Sequence, residues 1–392
     1  MFPHKNHYLY VNYSLLQLFF NMNILIINPI LSTSEKGVIT RRKSIKDCMI
    51  CNFAQGFVNA RHSVTILASE EFRPLQPETY DYQVVFFPSR LTKIFKPDLI
   101  PFPVGMRKWM KLNQHKFDFA IASEAFSITS LIATRIFGPR LIIWQEMSFH
   151  QHKFFKLPAR TWYNIIVPTL MRSPLMVPRS IPARKFISRY SRNVSHTCID
   201  HGANGNLLFP SSEVAPHFIV ISQLIPRKNI EGILRKFAHF LQHFPQYKHY
   251  KLKIIGDGPL SQTLINQASE LGISENTIFC GFMRHQEMAQ NLRTATAMLI
   301  NTFKDNNMVS IPEAIISGTP IVTNSIPTNS SFISEHQLGI VRSDWDHNDL
   351  AEAITSYPSF HANCVAIRDS LTNDGCARRM VQVFQEEILP RL

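Results

Sequence analysis

The stretch with the most chemical content is Asn301 to Asn324, NTFKDNNMVSIPEAIISGTPIVTN. It reads as a strand, a loop holding Asp305, Asn306 and Asn307, and a helix that starts near Ser310-Ile311-Pro312-Glu313. Backbone N–H groups at a helix start attract anions. Asp305 in the loop and Glu313 in the first turn can both face a ligand laid along that loop, and carboxylates accept hydrogen bonds from vicinal sugar hydroxyls. A purely structural reading stays open beside this one. Ser310-x-x-Glu313 is a capping box in which Glu313 serves only its own helix, with Pro312 at an early helical position. A second element is SQLIPRKN, Ser222–Asn229. Arg227 and Lys228 there follow a strand and precede a helix. Two adjacent cations at such a place either clamp phosphates or form a solvated basic turn.

These residues need a scaffold, and the pattern of the chain supplies one. Short Ile/Val-rich runs alternate with helical stretches, as in a doubly wound parallel sheet. In the first half the strands are read at 23–28, 63–68, 83–87, 119–122 and 141–144. Residues 151–190 break the rhythm with five prolines. The Gly/Asn-rich run Asp200–Gly205, followed by Phe209-Pro210-Ser211-Ser212, has linker composition. A second α/β series then begins, with strands at 218–222, 251–255, 277–280, 297–302 and 320–324 and closing helices at 348–355 and 377–388. The expected organisation is an extension over 1–21, a Rossmann-like domain over 22–210, a second over 211–375, and a terminal helical segment over 376–392 that returns to the first domain. Two such domains leave a cleft between their strand C-terminal ends, where open α/β sheets bind ligands.

Composition narrows the function classes. The 392 residues are 45% hydrophobic and 18% charged, which suits two large cores and excludes general disorder. No run of 18 apolar residues occurs, so a multi-span membrane protein is excluded. Tyr8–Phe20 is apolar but short, and reads as an extension or a membrane-surface anchor rather than a signal peptide. The net charge of +13 is confined to one half: residues 1–216 hold 26 Lys/Arg against 12 Asp/Glu, and Met147–Ile199 holds nine cations and no acid. That half is expected to meet something anionic. Between 153 and 192, Trp162, Tyr163, Phe154, Phe155 and Phe186 interleave with Lys153, Lys156, Arg160, Arg184 and Lys185. This mixture suits an anionic bilayer surface, with a plain solvated face as the rival and no nucleic-acid motif in sight. The six cysteines include one close pair, Cys48 and Cys51, read as plain thiols of a reducing cytoplasm. Asp344-Trp345-Asp346 reads as a surface loop, and no metal site is expected.

The motifs of the second half, taken in order, resemble the family 4 retaining glycosyltransferases, the glycosyl transferases group 1. The resemblance is carried by Arg227-Lys228-Asn229, by KLKIIGDGPL at 251–260, by LGISENTIFCGF at 271–282, by the Asp305-x7-Glu313 spacing, and by SGTPIVTN at 317–324. It implies the GT-B fold, two Rossmann-like doubly wound parallel-sheet domains facing each other across a cleft. It implies a retaining, metal-independent hexosyl-type transfer, without a bound cofactor, from a nucleoside-diphosphate-sugar to a saccharide or lipid-linked acceptor in surface polysaccharide synthesis. Such an enzyme would be cytoplasmic and peripheral on the membrane's inner face. By the same resemblance Glu313 would hold the ribose and Asp305 would face the transferred sugar. Arg227 and Lys228 would bind the diphosphate with N–H groups of Asn306, Asn307, Met308 and Val309, and Cys280–Met283, with Gly281 and Phe282, would hold the base.

The departures matter. Asp305 stands where the family commonly has Glu, and Ser222-Gln223 where it commonly has Gly-Arg. Gln223 and Asp305 favour a catalytically impaired scaffold partner as an alternative, and another nucleotide-sugar enzyme on the same fold, such as an epimerase or phosphorylase, is a third reading. Where the family places a His after a strand of the first domain, this chain has Trp144-Gln145-Glu146, with His150 beyond. Glu146 is the candidate to face a sugar, or is a salt-bridged Glu. Gly37, which lacks a Cβ, and Arg41-Arg42-Lys43 are candidates for a phosphate or acceptor loop.

Overall fold

Buried parallel strands need side chains that are apolar on both faces, and the chain supplies twelve of them. The computed structural model describes residues 21–31, 44–46, 48–94, 101–150, 156–305 and 308–392. Six strands form the first sheet: β1 (Asn23–Ile27), β2 (Ser63–Ser69), β3 (Gln83–Phe87), β4 (Phe119–Ser123), β5 (Leu141–Gln145) and β6 (Leu175–Pro178). Six more form the second: β7 (Ala215–Ile221), β8 (Lys251–Ile255), β9 (Thr277–Gly281), β10 (Ala295–Ile300), β11 (Ile321–Thr323) and β12 (Gly339–Val341). The orders are β3-β2-β1-β4-β5-β6 and β12-β11-β10-β7-β8-β9. All pairs are parallel. The strand order therefore reverses between β1 and β4 in one sheet and between β7 and β10 in the other. Loops leave such a switch point in opposite directions and open a crevice.

Four of the five prolines of 151–190 mark boundaries rather than a break, and Pro168 lies inside the continuous helical run 157–170. Pro178 ends β6, and Pro182 sits in the first turn of helix Ile181–Ile187, which the Ser180 hydroxyl caps by accepting from Ala183 N. Helices Met106–Asn113 and Tyr357–Leu371 and strand β12 are further elements that the sequence pattern leaves unmarked. Trp345 corrects another expectation. It is fully buried, its Nε1 donates to Ile300 O at 2.8 Å, and only its flanking aspartates reach the surface region. Cys48 and Cys51 are buried free thiols, and the Cys48 sulfur caps helix Met49–Asn59 by accepting from Cys51 N.

Helix Asn373–Val383 and its continuation Phe384–Ile388 pack on the first sheet, beside helix Met49–Asn59. The Phe384 ring stacks on Phe119 with centroids 4.4 Å apart. Gly56 permits this approach, because a Cβ there would lie 2.4 Å from Asn373 O. The chain thus crosses between domains twice, near 200–212 and at 371–373. The crossings pair with each other: Ala203 N donates to Leu371 O at 3.0 Å and Asn373 N to Ala203 O at 2.9 Å.

Candidate active site

The second sheet's switch point holds the strongest cluster. The turn after β7 approaches the end of β8 so closely that a Cβ on Gly256 would sit 1.8 Å from Ser222 O. The loop after β10 is tied to the same turn. Phe303 N donates to Arg227 O at 2.8 Å, and the Thr302 hydroxyl donates to the same oxygen at 2.9 Å. These ties bring Asp305 against both cations. Its carboxylate accepts from Arg227 Nη1 at 3.2 Å and from Lys228 Nζ. Among the described residues the cluster sets two cations beside one carboxylate at the end of the sheet.

The far side of the same loop is anchored by Asn329. Its Oδ1 accepts from Met308 N at 3.3 Å and its Nδ2 donates to Met308 O at 3.1 Å. The Met308 N–H is therefore spent inside the protein, which corrects the expectation that it would serve a phosphate. Val309 is the N-cap of helix Ser310–Ile316 and is half exposed. The capping box does not form: Ser310 is already helical and no side chain caps this end. Glu313 instead turns across to the neighbouring element. It is only 8% exposed, and its Oε1 lies 3.5 Å from Nε2 of His285. His285 opens helix His285–Arg293 just after Gly281 (φ +66°) and the 80%-exposed ring of Phe282. One end of the crevice thus carries cations, and the other a carboxylate, an imidazole and an open aromatic ring. That is a suitable frame for an anion joined to a hydroxyl-bearing ring and a flat base. The sequence reading passed over His285 because one His after a turn carries no pattern.

The first sheet's switch point is built differently. Glu124 follows β4 with φ +65°, a strained conformation for a residue with a Cβ. Its carboxylate accepts from Glu146 N at 2.7 Å and Met147 N at 3.2 Å, so it clamps the loop after β5. Burial, with the nearby Glu146 charge, pushes the Glu124 carboxyl up to about 8. Arg179, just after β6, donates to Glu146 at 2.7 Å and to Asp200 at 3.2 Å, and also bonds His201 Nδ1. Its guanidinium lies 4.7 Å from the centroid of the Trp144 ring. Burial opposes ionisation of Asp200, but His201 and Arg179 outweigh it and hold this carboxyl well below its usual range. Glu146 is therefore both ion-paired and half-buried beside the cleft. Glu124 and Arg179 were not singled out in the sequence, because each is an isolated residue at the end of a different strand, and His201 entered only as part of the Asp200–Gly205 linker run.

Several expected residues lie elsewhere. His150 Nε2 meets the Tyr190 hydroxyl at 3.0 Å, and its ring packs among Tyr163, Phe186 and Tyr190. Gly37, Arg41, Arg42, Lys43, Lys153, Phe154, Phe155, Asn306 and Asn307 lie outside the described residues. The aromatic surface between 153 and 192 needs correction. Tyr163 and Phe186 are buried, and Trp162 donates its Nε1 to Ala125 O at 2.8 Å. Large rings there fill the core. Among the described residues of this segment, the large apolar side chains that face outward are Leu157, Ile165 and Leu170, beside exposed Arg160 and Arg172. Among the described residues, no cluster of three His, Cys, Asp or Glu is arranged to hold a metal ion, and no helix is long and apolar enough to cross a membrane.

Comparison with known proteins bears on both domains. Residues 209–359 match the family model described as glycosyl transferases group 1. The alpha-monoglucosyldiacylglycerol synthase of Streptococcus pneumoniae is 29% identical over 134 residues, which are 34% of this chain and 29% of that protein. D-rhamnosyltransferase WbpZ of Pseudomonas aeruginosa is 30% identical over 115 residues, 28% of this chain and 30% of its own. The matched segments thus span less than a third of these relatives' lengths. Alr3699/HepE of Anabaena, solved in complex with UDP, superposes with a TM-score of 0.63 at 14% identity, covering 93% of this chain and 100% of that one. At such identity the likeness speaks for the fold, and the fold is GT-B.

Proposed function

With a group 1 glycosyl transferase domain at residues 209–359 and the GT-B fold throughout, we propose that the chain is a retaining glycosyltransferase. It moves a sugar from a nucleoside-diphosphate-sugar to a saccharide or lipid-linked acceptor in glycolipid or surface polysaccharide synthesis. The observation that carries this reading is the Arg227–Lys228–Asp305 cluster at the β7/β10 switch point. As the bond to the anomeric carbon breaks, negative charge grows on the leaving diphosphate, and the two cations stabilise it. Asp305 holds both cations in place, and the diphosphate competes with it for them. Glu313 accepts from ribose hydroxyls while Phe282 offers a face to the base. Glu146, oriented by Arg179 and by the Glu124 clamp, faces the sugar from the other wall. The leaving phosphate takes the acceptor's proton, so no metal or strong protein base is required.

The names of the relatives support the acceptor class: one is a synthase of a glucosyl lipid, the other a rhamnosyltransferase. Outward-facing Leu157, Ile165 and Leu170 among arginines support contact with an anionic bilayer on the cytoplasmic side. A scaffold that binds nucleotide without turnover is the second reading, favoured by exposed Gln223 at a position that carries no charge.

The test is release of nucleoside diphosphate from UDP-glucose, GDP-mannose and other donors by purified protein, with Glu313→Ala and Lys228→Ala beside the wild type. Loss of turnover in both folded variants is the expected result. Wild-type rates in both would sink the site assignment.

A further inference from the structure

A second cavity lies between the domains, beside the paired linkers. Its volume is about 310 Å³, near the lower end of the range for small-molecule pockets. None of Arg227, Lys228, Asp305, Glu313 or His285 is among its described lining residues. One wall is the start of helix Ile181–Ile187 with the segment 196–198. The other is the face of helix Ser310–Ile316 that bears Ile311, Pro312 and Ile315.

Three guanidiniums line this space; Arg179 is paired with Glu146 and Asp200, and the other two come from separate helices. Arg184 Nη1 donates to His196 O at 2.8 Å, and Arg379 Nη2 donates to Cys198 O at 2.6 Å. Carbonyls two residues apart therefore set the two forks side by side. Burial raises the Cys198 thiol, Arg184 and Arg379 pull it back, and Glu335 and Asp200 push it up, so all four charges stand around it. Neither arginine has an acidic partner among the described residues. Of the cavity's two acids, Asp200 is committed to Arg179 and His201, and Glu335 is exposed. The charge balance favours an anion, and two planar forks favour one with several acceptor oxygens.

The cavity is also mechanically placed. Asn329 lines it and, through Met308, holds the loop that carries Asp305. Leu371 lines it as well, and belongs to the crossing that bonds Ala203. An occupant touches both domains, a linker and the anchor of the cation loop at once.

We propose that this cavity is an effector site for a small organic phosphate monoester. Arg184 and Arg379 hold the phosphate, and the Ile311–Pro312–Ile315 wall takes the carbon body. The site does not depend on the transferase reading, because binding alone tests it.

The experiment is calorimetric titration of the full chain with glycerol 3-phosphate, with lactate as a carboxylate control. Saturable binding at one site is expected, weakened about tenfold or more in Arg184→Gln. It should also be lost in Ile181→Trp, which fills the cavity and keeps both arginines, and stay unchanged in Lys228→Ala. Hydrogen exchange at the Met308 and Val309 amides should slow on binding. Absent binding to the wild type overturns the site, as does full-strength binding in both cavity variants. Equal affinity for lactate overturns the ligand class. Loss in Lys228→Ala places the phosphate in the cation crevice instead, and unaltered exchange at Met308 removes the effector role.

Discussion

The two switch points share one topology and handle charge in opposite ways. At β7/β10 the open member is a cation: the Arg227 side chain is 36% exposed, while Asp305 and Lys228 beside it are 14% and 12% exposed. At β1/β4 the cation is the buried member: Arg179, 5% exposed in its side chain, is enclosed by Glu146, Asp200, His201 and the Trp144 ring. A partly solvated pair such as Arg227–Asp305 contributes little to stability. A buried network costs desolvation and is destabilising to break, but it fixes geometry. One wall of the cleft is thus made to bind and the other to position.

The largest expected effect separates these roles. Arg179→Met leaves Glu146 and Asp200 without their shared cation, and should cost about 3–5 kcal/mol in chemical denaturation. Arg227→Met, which removes the open member of its pair, should cost about 1 kcal/mol or less by the same measurement. Similar losses for the two variants would erase the distinction.

The next concerns pH. The Glu124 carboxyl is raised to about 8 in the folded chain from an ordinary 4.5, so folding favours its protonated form. The resulting stability is present in full below the unfolded value and is lost as pH rises through about 8. Glu124→Gln copies the protonated state. Thermal midpoints of wild type and variant should converge near pH 5, and the wild type should fall behind as pH rises to 8.5. Parallel curves would show that Glu124 is ionised throughout.

How much of this was legible in the sequence follows from the same contrast. The binding wall is written in two contiguous stretches, 222–229 and 301–324, whose residue types and spacing announce an anion and a sugar. The positioning wall draws single residues from the ends of β4, β5 and β6 and from the linker. Their spacing of tens of residues has no signature until the sheet aligns them. The fold itself was legible because buried parallel strands leave short apolar runs, while Pro178 and Pro182 hid β6 and its helix by sitting at their edges. The aromatics of 153–192 misled for a physical reason: Tyr163 and Phe186 are large enough to be drawn into the core, and the face they vacate belongs to Leu157 and Ile165. Glu313 shows the reverse, since its capping-box spacing is real but its carboxylate turns to His285.

Two smaller effects sharpen the account. Asp305→Asn removes the negative charge that Arg227 and Lys228 share, so affinity for a nucleoside diphosphate should rise several-fold in calorimetry while turnover falls. Weaker binding would mean that Asp305 is needed chiefly to hold Lys228 in place. Leu157→Ser with Ile165→Ser should lower co-sedimentation with phosphatidylglycerol vesicles and leave phosphatidylcholine vesicles unaffected. Equal recovery of both proteins would remove the membrane face from this helix.

The most direct measurement is a thermal-shift panel with UDP, GDP, ADP and CMP on the wild type and on Lys228→Ala. A ligand at a hundred times its dissociation constant adds about 2.7 kcal/mol, enough to raise a midpoint by a few degrees. The account predicts a rise with one nucleoside diphosphate that disappears in Lys228→Ala. An equal rise in both proteins would place the diphosphate away from the β7/β10 crevice and contradict the central claim.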